Sequence, residues 1–480
     1  MYFAQNSRAR LIGALLSGAC ALVNGAAQAW EARPDKAVET AKALSVKALG
    51  DGWTYKFLEG LTTEVGPRLP GTDNMTHAIK WSQEKLKAAG FDKVYAEPFA
   101  MSAWLRGAES AHVISPRMQP LAITALGNSV ATPAEGIDAE IALFRSYAEL
   151  LAAPEGSLRG KIAVVTERMV RMQDGGGYGA AVVIRAVGAV EAGKRGAIAF
   201  LIRSIGTDTH RVPHTGAMSS ERYNAAKVRI PAAAMSNPDA DLLERMAERG
   251  PVKLHLLLTP TMVEKSQSAN VVAEIRGREK PDEIVLIGGH LDSWDLGTGA
   301  IDDGAGVAIA AGAGRLIAAL PRHPKRTIRV ILFGAEERGF SGDAYARAHE
   351  KEAPRMRIMA ESDFGARKIM ALQVPGGVIE SDFTKGLMSA FGPLGIMLSR
   401  EPARFGGSDF EGLEKIGVPV VSMRQNGLDY FDIHHTPDDT FDKIDSAELA
   451  QNVAAYAAFA YLAAEMDVDF RTPAKPAANP

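Results

Sequence analysis

The second half of this chain reads as an α/β fold with a largely parallel sheet covered by helices. Two observations predict it. Between Asn270 and Asp467, short strand-like runs alternate with helix-like runs, the pattern of strands joined by crossover helices. In addition, the acids and histidines of this region cluster directly after the strand-like runs, and in open sheets of this kind chemistry sits beyond the carboxyl ends of the strands. The predicted strands are 271–276, 283–288, 328–333, 358–360 and 418–423, and the helices 304–320, 341–350 and 446–466. A third observation, a change of style between Glu109 and about residue 264, marks a separate inserted module.

At the N-terminus, Arg8 and Arg10 precede a short apolar run from Leu11 to Val23, and Ala27-Gln28-Ala29 forms a small-x-small site. This is the pattern of a secretory signal peptide over 1–29, and the run falls short of the ~20 apolar residues a membrane span needs. Ser17 stands where a lipobox would carry leucine, which argues against lipoprotein anchoring at Cys20. Cys20 is the only cysteine, so cleavage after Ala29 would leave an exported protein with no disulfide to form. The expected location is the periplasm or the medium.

Residues 30–108 are expected to form the first part of the catalytic domain. They hold a helix at 36–49, a rigid loop Gly66-Pro67-Arg68-Leu69-Pro70-Gly71, and a helix at 73–89 with Asp73 as N-cap. The inserted module, 109–264, alternates β-like runs with turns around one helix at 180–192. It lacks a dense cluster of acids and histidines. Residues 265–468 complete the catalytic domain, and the Pro- and Ala-rich end, 469–480, is expected to be disordered.

Composition excludes some classes of function. Hydrophobic residues make up 46% and charged residues 23%, and the net charge is −3 with basic residues scattered. Nucleic-acid binders usually carry a basic stripe, and none is present. No later apolar run is long and uncharged enough to span a bilayer.

The groups after the strands are His290 and Asp292, then Asp302-Asp303, then Glu336-Glu337, Glu361-Ser362-Asp363 and His434-His435. Each alone has an ordinary explanation. A pair of glutamates is usually a solvated surface, and Asp before a helix is often only a cap. Together they suit zinc, which takes imidazole and carboxylate and keeps a position open in catalytic sites. Two histidines and three carboxylates hold two ions if one carboxylate bridges them. Two such metals share a water and lower its pKa, and a neighbouring carboxylate takes the proton. Adjacent side chains in Glu336-Glu337 diverge, so one can face metal and the other water.

These residues resemble the co-catalytic dizinc exopeptidases, the family of secreted aminopeptidases and glutamate carboxypeptidases. Within it, Gly288-Gly289-His290-Leu291-Asp292-Ser293-Trp294-Asp295, Gly299-Ala300-Ile301-Asp302-Asp303-Gly304 and Pro213-His214-Thr215-Gly216 look most like the carboxypeptidase Q branch. The resemblance implies a mixed, mostly parallel sheet sandwiched by helices, with a protease-associated-like β-rich insertion. It implies that two Zn2+ ions are held by His290 and Asp363 and by Glu337 and His435, with Asp302 bridging. Glu336 would be the general base, Asp292 would orient His290, and Ser408 would contact substrate. It also implies a cis peptide bond between Asp302 and Asp303, a peptide substrate and a homodimer.

The run His435-Thr436-Pro437-Asp438-Asp439-Thr440 fits the family's spacing with His435 as ligand and Asp439 and Thr440 as a loop brace. In an extended segment neighbouring side chains point to opposite sides. His434 is therefore expected either to line the cleft and donate to substrate or to pack nearby as a buried, satisfied ring. His210 and His214 are expected to be ordinary loop histidines. Two other functions fit the fold: a single-zinc glutaminyl cyclase, separable by metal stoichiometry, and a non-catalytic binding relative, which would have lost ligands.

Overall fold

The computed structural model describes residues 36–473. The signal-peptide expectation, Cys20 and residues 474–480 lie outside the described residues.

A five-stranded mixed sheet forms the main body, in the order Lys93–Leu105, Thr261–Ile275, Arg326–Phe333, Lys280–His290, Met356–Glu361. The first two pairings are antiparallel and the last two parallel. Every residue of Arg326–Phe333 is buried, as is the last stretch of Lys280–His290. A strand covered on both faces favours an apolar run, which Ile284–Ile287 and Val330–Phe333 supply, while the buried Arg326 and Arg329 are paired with Glu283 and Glu274. Helix Ala305–Ala318 packs on the sheet beside Ser446–Glu465. Ser446–Glu465 is so rich in alanine that other helices approach closely, and Ser45 of helix Lys36–Leu49 donates to the Ala454 carbonyl at 3.2 Å. No helix among the described residues is long and apolar enough to cross a membrane.

The chain leaves this body along Lys93–Leu105 and returns along Thr261–Ile275, two strands paired with each other almost end to end. Between them a second, eight-stranded sheet forms from residues 109–258, with its own core. Its middle, Ile137–Phe144 to Ala232–Met235, is parallel and packs against helix Gly176–Lys194. Trp294, from the main body's loop, enters the second core beside Trp104.

Three expectations change. Thr72, not Asp73, caps the helix Asp73–Ala88, accepting from the Met75 amide at 3.3 Å. The strand expected at 418–423 joins the main sheet only through one bridge, Val420 to Met359. Pro419 lacks the N–H a ladder needs. The regular strand is Ser422–Gln425, in a small separate sheet, so His434-His435 follow the short helix Tyr430–Ile433 rather than a strand. Finally, the start of the expected disordered tail is packed. Phe470 is buried against Phe383, and Arg471 donates to the carbonyls of Ala353 and Met356.

Candidate metal centre

The parallel strands end level with one another: His290 pairs with Phe333, and Gly288 with Glu361. Their following loops therefore carry His290, Glu336-Glu337 and Asp363 to one edge of the sheet. Asp302 arrives on the segment Ala300–Gly304, which leads into helix Ala305–Ala318. Its peptide bond to Asp303 is cis, as the resemblance implied. Asp439 braces this segment, accepting from the amides of Ala300 and Ile301 at 2.7 Å each and of Asp302 at 3.2 Å. Asp303 turns away and accepts from the amides of His290 and Gly306.

Asp302 stands between two histidines. His290 Nε2 is 3.2 Å from Asp302 Oδ1 and 3.5 Å from Asp363 Oδ1. On the other side, His435 Nε2 is 3.0 Å from Asp302 Oδ2 and 3.2 Å from Glu337 Oε1. The opposite ring nitrogens face backbone carbonyls, Asp292 O at 3.0 Å for His290 and Thr215 O at 3.2 Å for His435. A carbonyl only accepts, so each Nδ1 carries the proton and each neutral ring turns a lone pair toward carboxylate oxygens. Lone pairs facing lone pairs require a cation between them. Asp302 Oδ2 and Glu337 Oε1 are buried and without hydrogen-bond partners, which fits the same demand. The donor set, imidazole and carboxylate, is the one zinc takes.

The electrostatics of the bare protein agree. Burial lowers the pKa of His290, but the neighbouring carboxylates of Asp292, Asp302 and Asp363 outweigh it and hold the pKa well above the usual imidazole value. His435 is raised in the same way, burial being overcome by Glu337 and Asp302. Both shifts have one cause, carboxylates crowded around the imidazoles, which is the field that would also hold a metal cation. Burial raises Glu337 and Asp363, while Asp302 is held low, against its burial, by His434, His290 and His435.

His434 lines the cleft as expected but departs from expectation in its direction. His435 has φ +61°, and this left-handed residue brings its ring alongside His434 instead of opposite it. The rings stack at 3.5 Å, and both Nε2 atoms face Asp302 Oδ2, His434 at 3.5 Å. Asp302, His434 and His435 thus also form a compact donor triple. The tautomer argument and the contact with Glu337 favour His435, since His434 Nδ1 has no partner to fix its ring.

Asp292 meets the His290 ring as expected, though by a different group. Its carboxylate lies 3.6 Å from His290 Nδ1, beyond hydrogen-bond reach, and the contact to that ring runs through its main-chain carbonyl. The carboxylate instead accepts from the amides of Glu336 and Glu337, fixing both glutamates. Trp294 Nε1 donates to Glu337 Oε2, leaving Oε1 to face His435. Glu336 lines the cleft, and burial together with Asp363 and Glu337 raises its pKa well above the usual carboxylate range. Glu361 accepts from the Asp409 amide, and Gly407, at φ +119°, permits this approach because a Cβ there would lie 1.9 Å from Glu361 Oε2. Asp409, held by Ser341, is pushed up to about 8 by burial. Ser408 is exposed at the rim.

Two contributors lie in segments the sequence singled out, but their roles were not legible there. Arg68 is fully buried and donates to the carbonyls of Leu291, Gly66, Thr298 and Gly299, stapling the loop between His290 and Asp302. Burial pushes its pKa down to about 10 despite Asp439 and Asp292 nearby. Arg68→Met leaves these carbonyls unpaired and is expected to cost about 3–5 kcal/mol of stability, read from the denaturant midpoint. A loss under about 1 kcal/mol would show the staple to be unimportant. The other contributor is His214, expected to be an ordinary loop residue. It is buried, with Nε2 2.6 Å from Asp208 and Nδ1 2.7 Å from the His434 carbonyl. Beside it, the Thr215 amide donates to the His435 carbonyl and that of Thr207 to Phe431. The second sheet's loop thus grips the segment bearing both histidines. His210 is exposed.

His290, Asp302, Glu336, Glu337, Asp363, His434 and His435 line one cleft of about 430 Å³, whose other wall comes from the second module through Tyr178, Arg185 and Ala217. The sequence pattern of peptidase family M28 matches residues 270–460. Carboxypeptidase Q of Bos taurus is 36% identical over 427 residues, 88% of each chain. A solved peptidase M28 precursor from Shewanella amazonensis SB2B is 46% identical, with a TM-score of 0.87 over 92% of this chain and 99% of that one. A zinc aminopeptidase of Bacillus subtilis shares the fold at 20% identity, with a TM-score of 0.63 over 88% of this chain and 97% of that one.

Proposed function

The chain belongs to peptidase family M28 and is a metallopeptidase, and from this we propose that it is a dizinc exopeptidase acting on dipeptides or short peptides. The observation that carries the reading is Asp302, whose two oxygens each face a lone-pair-bearing imidazole nitrogen. In this reading His290 and Asp363 hold one zinc, His435 and Glu337 the other, and Asp302 is shared. The ions, when bound, supply Lewis-acid polarisation of the scissile carbonyl and lower the pKa of water. Glu336, set by the Asp292 hydrogen bonds to its own and its neighbour's amide, accepts the proton of the attacking water and returns it to the leaving amine.

The second sheet module, read as an inserted protease-associated-like domain, supplies one wall of the cleft through Gly175, Tyr178, Arg185 and Ala217. A cleft of about 430 Å³ suits a substrate of two or three residues. Export through the 1–29 leader to the periplasm or medium, and assembly as a homodimer, complete the proposal. They rest on the leader pattern and the resemblance.

Elemental analysis of gently purified protein is expected to give two zinc per chain. One metal per chain even after zinc is added, together with formation of pyroglutamate, would favour the cyclase instead. A dipeptide panel with either end blocked would identify the end that is recognised.

A further inference from the structure

One wall of the cleft carries a buried cation whose hydrogen bonds are incomplete. Arg185, on helix Gly176–Lys194, is 7% exposed and lines the cleft with Asp302 and the two histidines. Its Nη2 donates to the Tyr178 hydroxyl at 2.6 Å and its Nη1 reaches the Thr215 carbonyl at only 3.4 Å. Its Nε has no partner. A guanidinium has five N–H donors, and a buried charge left this poorly paired is costly unless something else completes it.

The surroundings are shaped for it. Gly216, at φ +135°, leaves the space the guanidinium fills, since a Cβ there would lie 2.2 Å from Nη1 and 2.4 Å from Cζ. Tyr178 is stacked on Phe431, and its hydroxyl, accepting from Arg185, keeps its own proton to donate. The Thr215 carbonyl accepts from both Arg185 and His435 Nδ1, so the guanidinium lies one carbonyl away from that imidazole. The other cation in the lining, Arg424, is less buried and donates to the Asp174 carbonyl.

We propose that Arg185 and Tyr178 seat a carboxylate of the substrate, the free C-terminal carboxylate of the residue on the leaving side of the cleaved bond. The inference rests on the peptidase reading and deepens it. An extended residue spans about 3.5 Å, so the carboxylate of a single leaving residue falls within one residue length of the reacting carbonyl. The planar fork of arginine matches a carboxylate in two parallel hydrogen bonds. An acidic side chain offers the same group, and the substrate series below separates the two.

The test uses zinc-loaded full-length protein and three substrates: a dipeptide acid, its C-terminal amide, and an amide whose last residue is Glu. The wild-type protein is expected to prefer the acid over its amide by about 10²-fold or more in kcat/KM. Arg185→Met should lose that preference, the acid falling by about 10²-fold while the amide changes little, and Arg185→Lys should restore part of it. Gly216→Ala, which displaces the guanidinium without removing it, should act in the same direction and serves if Arg185→Met does not fold.

Equal cleavage of acid and amide by the wild-type protein would overturn the proposal. So would a preference kept in Arg185→Met, or an equal loss on acid and amide in protein that retains both metals. If the Glu amide matches the free acid, the seat takes a side chain and the C-terminal assignment is wrong. If the wild-type protein cleaves none of the three, the peptidase reading fails first.

Discussion

Glu336→Gln is expected to lower turnover by about 10²–10⁴-fold while both metals remain bound. Glutamine keeps the size of the side chain and leaves the backbone amide free to donate to Asp292, so the loop should not move. What disappears is the group that accepts a proton from water. Glu337→Gln is the informative contrast. Glu337 Oε2 is held by Trp294 and Oε1 faces His435, so the change should weaken one metal site before it affects proton transfer. Steady-state kinetics paired with metal analysis separates the two variants. Near-normal turnover in pure Glu336→Gln protein would remove Glu336 from the role.

The second large effect is expected at the paired histidines. His435→Ala should lose one zinc and nearly all activity. His434→Ala should keep both, because its ring nitrogen is farther from Asp302 Oδ2, 3.5 Å against 3.0 Å, and its Nδ1 is unanchored. Metal content is the deciding measurement, since the stacked rings allow either change to disturb activity. The opposite pattern, metal kept without His435 and lost without His434, would transfer the ligand role by one residue.

The main sheet was readable because its covered strands announce themselves as continuous apolar runs. The acids and histidines directly after those strands reach one edge because parallel strands end in register. His434 lines the cleft as expected, but its ring also faces Asp302, because one residue at positive φ reverses the alternation an extended segment would give. Arg68 and His214 lie in segments the sequence singled out, but their roles were hidden because the partners that matter, the carbonyls of Leu291, Thr298, Gly299 and His434, are more than 200 residues away. Asp292 meets the His290 ring as expected, though through its main-chain carbonyl, and its carboxylate's further partners, the amides of Glu336 and Glu337, were not readable because the sequence does not tell which amides a buried carboxylate will meet.

The grip of the 204–216 loop on the segment 431–435 has a consequence for how the enzyme is built. Contacts such as His214 to the His434 carbonyl, and Thr215 to His435, join residues 220 positions apart. His214 and Thr215 sit between two strands of the second sheet, so the carbonyls of His434 and His435 meet these partners only where that sheet is formed. The half of the centre that contains His435 is therefore finished only in the assembled protein. Cutting out residues 109–258 to obtain a smaller catalyst should yield a body that keeps its main sheet but holds the His435 metal loosely. The second sheet would in this sense be a scaffold for the proposed ligand His435, which it does not itself contribute.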